Sequence, residues 1–121
     1  MDMYLRRLLQ AHVDAAEERA LQGAQPEAAL AVPAYKVMAV ICGVQTPAYL
    51  APARTEDLTA AERIWLRQLL ACELGAVARR LHCSAPNLDE VADMLTNGSD
   101  KRFTYGKVNP RTFPSRVRAQ T

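Results

Sequence analysis

The chain has 121 residues, of which 50% are hydrophobic but only 6% aromatic, and its formal net charge is +2. That length sets one domain, with or without a tail, and the apolar fraction is enough for a core without disulfide or metal staples. The Ala- and Leu-rich, aromatic-poor composition argues against a sheet protein and for an all-α fold.

The longest apolar run, Val37 to Val44, is too short to span a bilayer. Arg6 and Arg7 are followed by His12 and Asp14, which leave no room for a signal-peptide core. The expectation is therefore a soluble, cytoplasmic protein. Cys42, Cys72 and Cys83 form an odd, unpatterned set in helix-like surroundings, which reads as buried free thiols in a reducing compartment.

The charge is unevenly distributed. Residues 1–98 hold nine Lys/Arg against twelve Asp/Glu, a net −3, whereas residues 99–121 hold six against one, a net +5. An acidic helical domain over 1–98 and an extended basic tail over 99–121 follow from that split.

In chain order, the first helix is marked by Leu5, Leu8, Leu9, His12, Val13, Ala16 and Ala20 on one arc, opposite Arg7, Gln10, Asp14, Glu17 and Glu18. Gly23 ends it as a left-handed cap. His12 lies inside the apolar arc, where a packed imidazole is expected rather than a ligand. Pro26 opens a short helix through about Val32, and Pro33 opens another through Cys42, because proline suits a first turn. Gly43 ends that second piece. The alternative for residues 37–44 is a strand, since the run is short and β-branched. Thr46 to Thr55, with Pro47 and Pro52, reads as a loop that holds at most one turn.

Thr59-Ala-Ala-Glu62 is a capping-box sequence that starts a helix at Ala60. Its stripe is Leu66, Leu69, Leu70, Leu74, Val77 and Leu81, flanked by Trp65. A break near Glu73–Gly75 is the alternative to one unbroken helix, because Gly75 is a weak helix former and Glu73 falls in the apolar arc. Asn87-Leu-Asp-Glu90 repeats the capping pattern, with acids in the first turn. The helix it opens carries Leu88, Val91, Ala92 and Leu95 inward and runs through about Thr96. The sum is a small bundle of four to five helices.

Residues 74–91 carry Val77, Ala78, Leu81, Cys83, Leu88 and Val91 at a characteristic spacing. With Ser84 where a recognition helix often opens, the stretch resembles the helix-turn-helix of phage-repressor-like regulators. The resemblance implies that Ser84, Ala85, Pro86, Asp89, Glu90 and Asp93 would face a DNA groove. Two features depart from the pattern: His82 holds the turn position usually filled by Gly, and Pro86 delays the second helix. The charge departs as well. Recognition helices present Arg, Lys, Asn or Gln to bases and phosphates, whereas Asp89, Glu90 and Asp93 would be repelled by a polyanion. They read instead as an acidic contact face, and the nearest cations, Arg79 and Arg80, lie on the preceding helix.

No nucleophile elbow or phosphate loop accompanies the two histidines and the serines Ser84, Ser99 and Ser115. His82 and Cys83 diverge by about 100° on a helix, and with Cys72 they lack paired metal-ligand spacing. A non-enzymatic protein is expected, with no cofactor and no metal. The binding residues are instead sought in the tail. There Lys101, Arg102, Lys107, Arg111, Arg116 and Arg118 interleave with Phe103, Tyr105 and Phe113. Cations neutralise phosphates and aromatic faces stack on unpaired bases, so nucleic acid or a nucleoprotein is one partner class. A protein groove that takes an extended Arg- and aromatic-rich segment is the other, as for an adaptor or inhibitor module. A solvated tail, or one folded back on the acidic body, is the bland alternative. The Ala- and Leu-rich faces also make a homodimer an expectation.

Overall fold

The computed structural model describes residues 2–98. Among them are four α-helices and no strand: α1 (Met3–Leu21), α2 (Pro26–Ile41), α3 (Ala60–Leu81) and α4 (Leu88–Asp93). A 3₁₀ turn spans Pro47–Tyr49, and a π-helical turn, Met94–Gly98, continues α4. Helices α1, α2 and α3 pack against one another, and α4 with its π turn lies against α2. The domain is all-α. No helix among the described residues is long and apolar enough to cross a membrane.

Side chains at helical spacing fill the core. Leu5, Leu9, Val13 and Ala16 of α1 meet Leu30, Val37 and Met38 of α2 and Leu66, Leu70, Leu74 and Val77 of α3 in one buried cluster. Each large side chain contributes about 1.5–3 kcal/mol by leaving water. Asp2 starts α1 by accepting from the Tyr4 and Leu5 N–H groups, a cap not anticipated from the sequence. Thr59 and Glu62 form the full capping box of α3.

The first three helices end in the same way. A residue with positive φ follows the helix: Gly23 at 112°, Gly43 at 79° and His82 at 56°. The next N–H in each case, from Ala24, Val44 and Cys83, reaches back to a carbonyl five residues earlier. Orphan carbonyls are thereby satisfied. Glycine adopts that backbone at little cost, whereas His82 does so against the clash of its Cβ.

Three expectations need correction, and one open alternative is decided. The two short helices over 26–42 are one helix that runs through Pro33, and the strand alternative at 37–44 falls with them. A proline inside a helix costs about 3 kcal/mol. Burial of the Pro33 ring together with Leu30, Val37, Met38, Val40 and Ile41 outweighs that cost. Helix α3 shows no break at Glu73–Gly75. Glu73 is half-buried and lies in the field of Arg80, one of the interactions that raise the Arg80 pKa. The last turn after α4 is π rather than α. In that turn the Thr96 hydroxyl donates to the Ala92 carbonyl at 2.8 Å. The thiols, finally, are not all buried: Cys42 and Cys83 are half-buried and Cys72 is exposed, two residues beyond Leu70 and so round the far side of α3.

Candidate functional site

Four of the eight arginines among the described residues, Arg54, Arg63, Arg67 and Arg80, are engaged within the fold. Arg54, 12% exposed, pairs with Glu62 at 2.7 Å, Asp2 at 3.2 Å and Glu56 at 3.5 Å. It also donates to the Glu56 and Asp57 carbonyls. One side chain thus ties the α1 cap and the 50s loop to the α3 capping box. Hydrogen bonds from Arg54 and the Thr59 backbone hold the Glu62 carboxyl at about 2, well below its ordinary range.

Arg63 of α3 donates to the Val40 and Ile41 carbonyls at the C-terminus of α2, where Val40 also accepts the Gly43 N–H. Arg67 pairs with Asp89 and so pins the first turn of α4 to α3. Arg80 grips Glu17 of α1 with two bonds of 2.8 Å, and that contact lowers the Glu17 pKa. Of the two body cations singled out from the sequence, Arg80 is therefore committed to Glu17, while Arg79 is exposed on α3.

The acidic trio separates in the same way. Asp89 is taken by Arg67, and Asp93 accepts from the Asn97 side chain. Glu90 is exposed and forms no ion pair among the described residues. It stands on the rim of a groove of about 360 Å³ between α2 and α4. The floor is Ala31, Tyr35, Val91 and Met94, and the connection 84–87 forms one wall. Tyr35 donates its hydroxyl to the Met94 sulfur at 2.9 Å. Met94 is nevertheless 54% exposed, far above Met38 in the core. Glu27 at the start of α2 supplies the second rim carboxylate, which accepts the Ser84 N–H at 3.5 Å and is not ion-paired among the described residues.

Local sequence explains the shape of this wall. His82 turns the chain away from α3, and Pro86 keeps the connection extended. Asn87 then caps α4 by accepting from the Asp89 and Glu90 N–H groups. Six residues, 82–87, separate α3 from α4, where a helix-turn-helix uses about three or four. Ser84, Ala85 and Pro86 lie in that connection.

A smaller hollow of about 240 Å³ adjoins Gly43, Thr46, Asp57 and Arg63. The Arg63 guanidinium beside it already serves the α2 carbonyls.

His12 is half-buried, and burial, then Lys36 and Arg19, hold its pKa below the usual imidazole value. Burial raises the Cys42 and Cys83 thiols, with Glu27 adding to the effect on Cys83. Among the described residues, no cluster of three His, Cys, Asp or Glu side chains could hold a metal. The tail residues Lys101, Arg102, Phe103, Tyr105, Lys107, Arg111, Phe113, Arg116 and Arg118 lie outside the described residues. No protein-family model, curated protein or solved structure matches the chain.

Proposed function

We propose that this protein is a small, non-enzymatic recognition module whose α2–α4 groove takes a segment of a partner protein. The occupant is an apolar, preferably aromatic, side chain flanked by Lys or Arg. One observation carries this reading: an open apolar floor lies between Glu27 and Glu90, two carboxylates with no ion pair among the described residues. Such a site gains from apolar burial and from pairing with cations in partly dry surroundings. A polyanion would gain neither.

The test is a titration with a short peptide that carries one Phe between basic residues, followed through the amide resonances of residues 27–35 and 84–94. Saturable shifts confined to these segments are expected, with loss of binding in Glu27→Lys/Glu90→Lys. A peptide with the basic residues changed to Glu should not bind. Equal binding of both peptides, or shifts elsewhere on the bundle, would overturn the reading.

The charge split along the chain favours a second reading, association with nucleic acid through residues 101–118. Its mark is binding to DNA or RNA that weakens steeply with salt, as counterions are released. Replacing Arg111, Arg116 and Arg118 with Ala should abolish that binding.

A further inference from the structure

We infer that the groove is occupied in the resting protein by the chain's own segment Lys101–Tyr105, with Phe103 seated beside Met94. The inference rests on the groove reading above and names an occupant for it. Three observations lead there. The chemistry that fits the groove is an aromatic side chain next to cations, and Lys101-Arg102-Phe103 is such a run. Charges complement each other as well: the body carries −3 and the tail +5, and Glu27 and Glu90 are rim carboxylates with no ion pair among the described residues. Finally, the π turn Met94–Gly98 both lines the groove and leads into this segment.

Distance allows it. The five residues from Gly98 to Phe103 span up to about 17 Å when extended. Packed helix axes are separated by only about 8–10 Å, so the tether exceeds the width of the groove. A short tether also supplies an effective concentration of about 1 mM. A contact too weak to matter between separate molecules, with a dissociation constant of about 0.1 mM, would then be about nine-tenths formed within one chain. An external segment must displace it, which lowers apparent affinity for that segment about tenfold. The groove is in this sense self-plugged, and its partner must compete.

The experiment uses the full chain with ¹³C-methyl-labelled methionine. An aromatic ring over Met94 displaces its methyl resonance upfield, and the buried Met38 serves as an internal control. Expected is a downfield move of Met94 alone in Phe103→Ala, the same at every protein concentration. No response of Met94 to Phe103→Ala or to Phe103→Ala/Tyr105→Ala would overturn the inference. So would a response that grows with protein concentration, which would make a second copy the occupant.

A peptide of residues 99–107 is then added to the full-length double variant. Its binding at Met94 without any Phe103 effect in the native chain would leave the groove reading standing and remove only self-occupancy. Absence of both responses would remove the two together. Where self-occupancy holds, the double variant should bind the peptide about tenfold more tightly than the native chain does.

Discussion

Two regions of this small bundle are rich in carboxylates, and they are built oppositely. Around Arg54, Asp2, Glu56 and Glu62 converge on one nearly buried guanidinium, and the backbone carbonyls of Glu56 and Asp57 share it. At the α2–α4 groove, Glu27 and Glu90 flank Ala31, Tyr35, Val91 and Met94, and neither carboxylate meets a guanidinium among the described residues. The same residue types therefore do different work. In the first region charge is neutralised internally, so its removal should be felt as lost stability. In the second, charge and apolar surface are left together in the open, so their alteration should be felt as lost binding with little change in folding.

The largest effect expected from breaking this contrast is that of Arg54→Ala. Loss of one cation leaves three carboxylates facing one another, and about 2–3 kcal/mol of stability should disappear, measurable by urea unfolding at pH 7. The pH dependence sharpens the point. Glu62 has a folded-state pKa near 2 against an ordinary 4.5, so its contribution is complete above about 4.5 and is lost as pH falls toward 2. The gap between native protein and Arg54→Ala should shrink over that window. A gap that stays constant from pH 6 to pH 2.5 would count against the Glu62–Arg54 contact as its source.

Glu27→Lys/Glu90→Lys tests the other region. Both side chains are exposed but stand in the first turns of α2 and α4, where a cation opposes the helix dipole, so stability should fall by only about 1–2 kcal/mol, while peptide affinity should fall tenfold or more, about 1.4 kcal/mol. A larger loss of stability on thermal unfolding would mean that the groove rim is structural after all.

His82→Gly sits between the two regions, where α3 turns into the groove wall. Relief of a left-handed non-glycine residue should stabilise the protein by about 1 kcal/mol. Gly75→Ala is smallest. A methyl group there would meet only Arg79 Nη1, at 3.7 Å, so a gain of about 0.5–1 kcal/mol is expected from helix propensity. Thermal unfolding of the two single variants checks both.

Much of the fold was legible in the sequence because it is encoded locally. The arc of Leu5, Leu9, Val13 and Ala16 is buried as its spacing requires, and Thr59 with Glu62 caps α3 as the motif predicts. Gly23 and Gly43 stop their helices. What misled was also local evidence, overruled at a distance. Pro33 and Gly75 are poor residues for a helix interior, but tertiary burial along α2 and α3 decides the outcome. The Arg54 cluster has no local pattern, because it joins Asp2, 52 residues away, to Glu62 across the loop that precedes α3. The groove was not visible for the same reason: its floor joins residues 31–35 to residues 91–94. Of its lining, the helix-turn-helix resemblance names Ser84, Ala85, Pro86 and Glu90, but as positions that face DNA.

Arg54 also has a consequence for time rather than for equilibrium. Its bond to Asp2 closes a loop between residues 2 and 54, a long-range closure with a high entropic cost and a reward only after the helices have docked. A contact of that kind forms late on the way to the native state and breaks early on the way out. The part of the stability lost in Arg54→Ala that belongs to the Asp2 contact should therefore appear as faster unfolding, with little effect on the refolding rate. The clasp at the start of α1 acts as a brake on escape, lengthening the lifetime of the folded chain more than it hastens its formation.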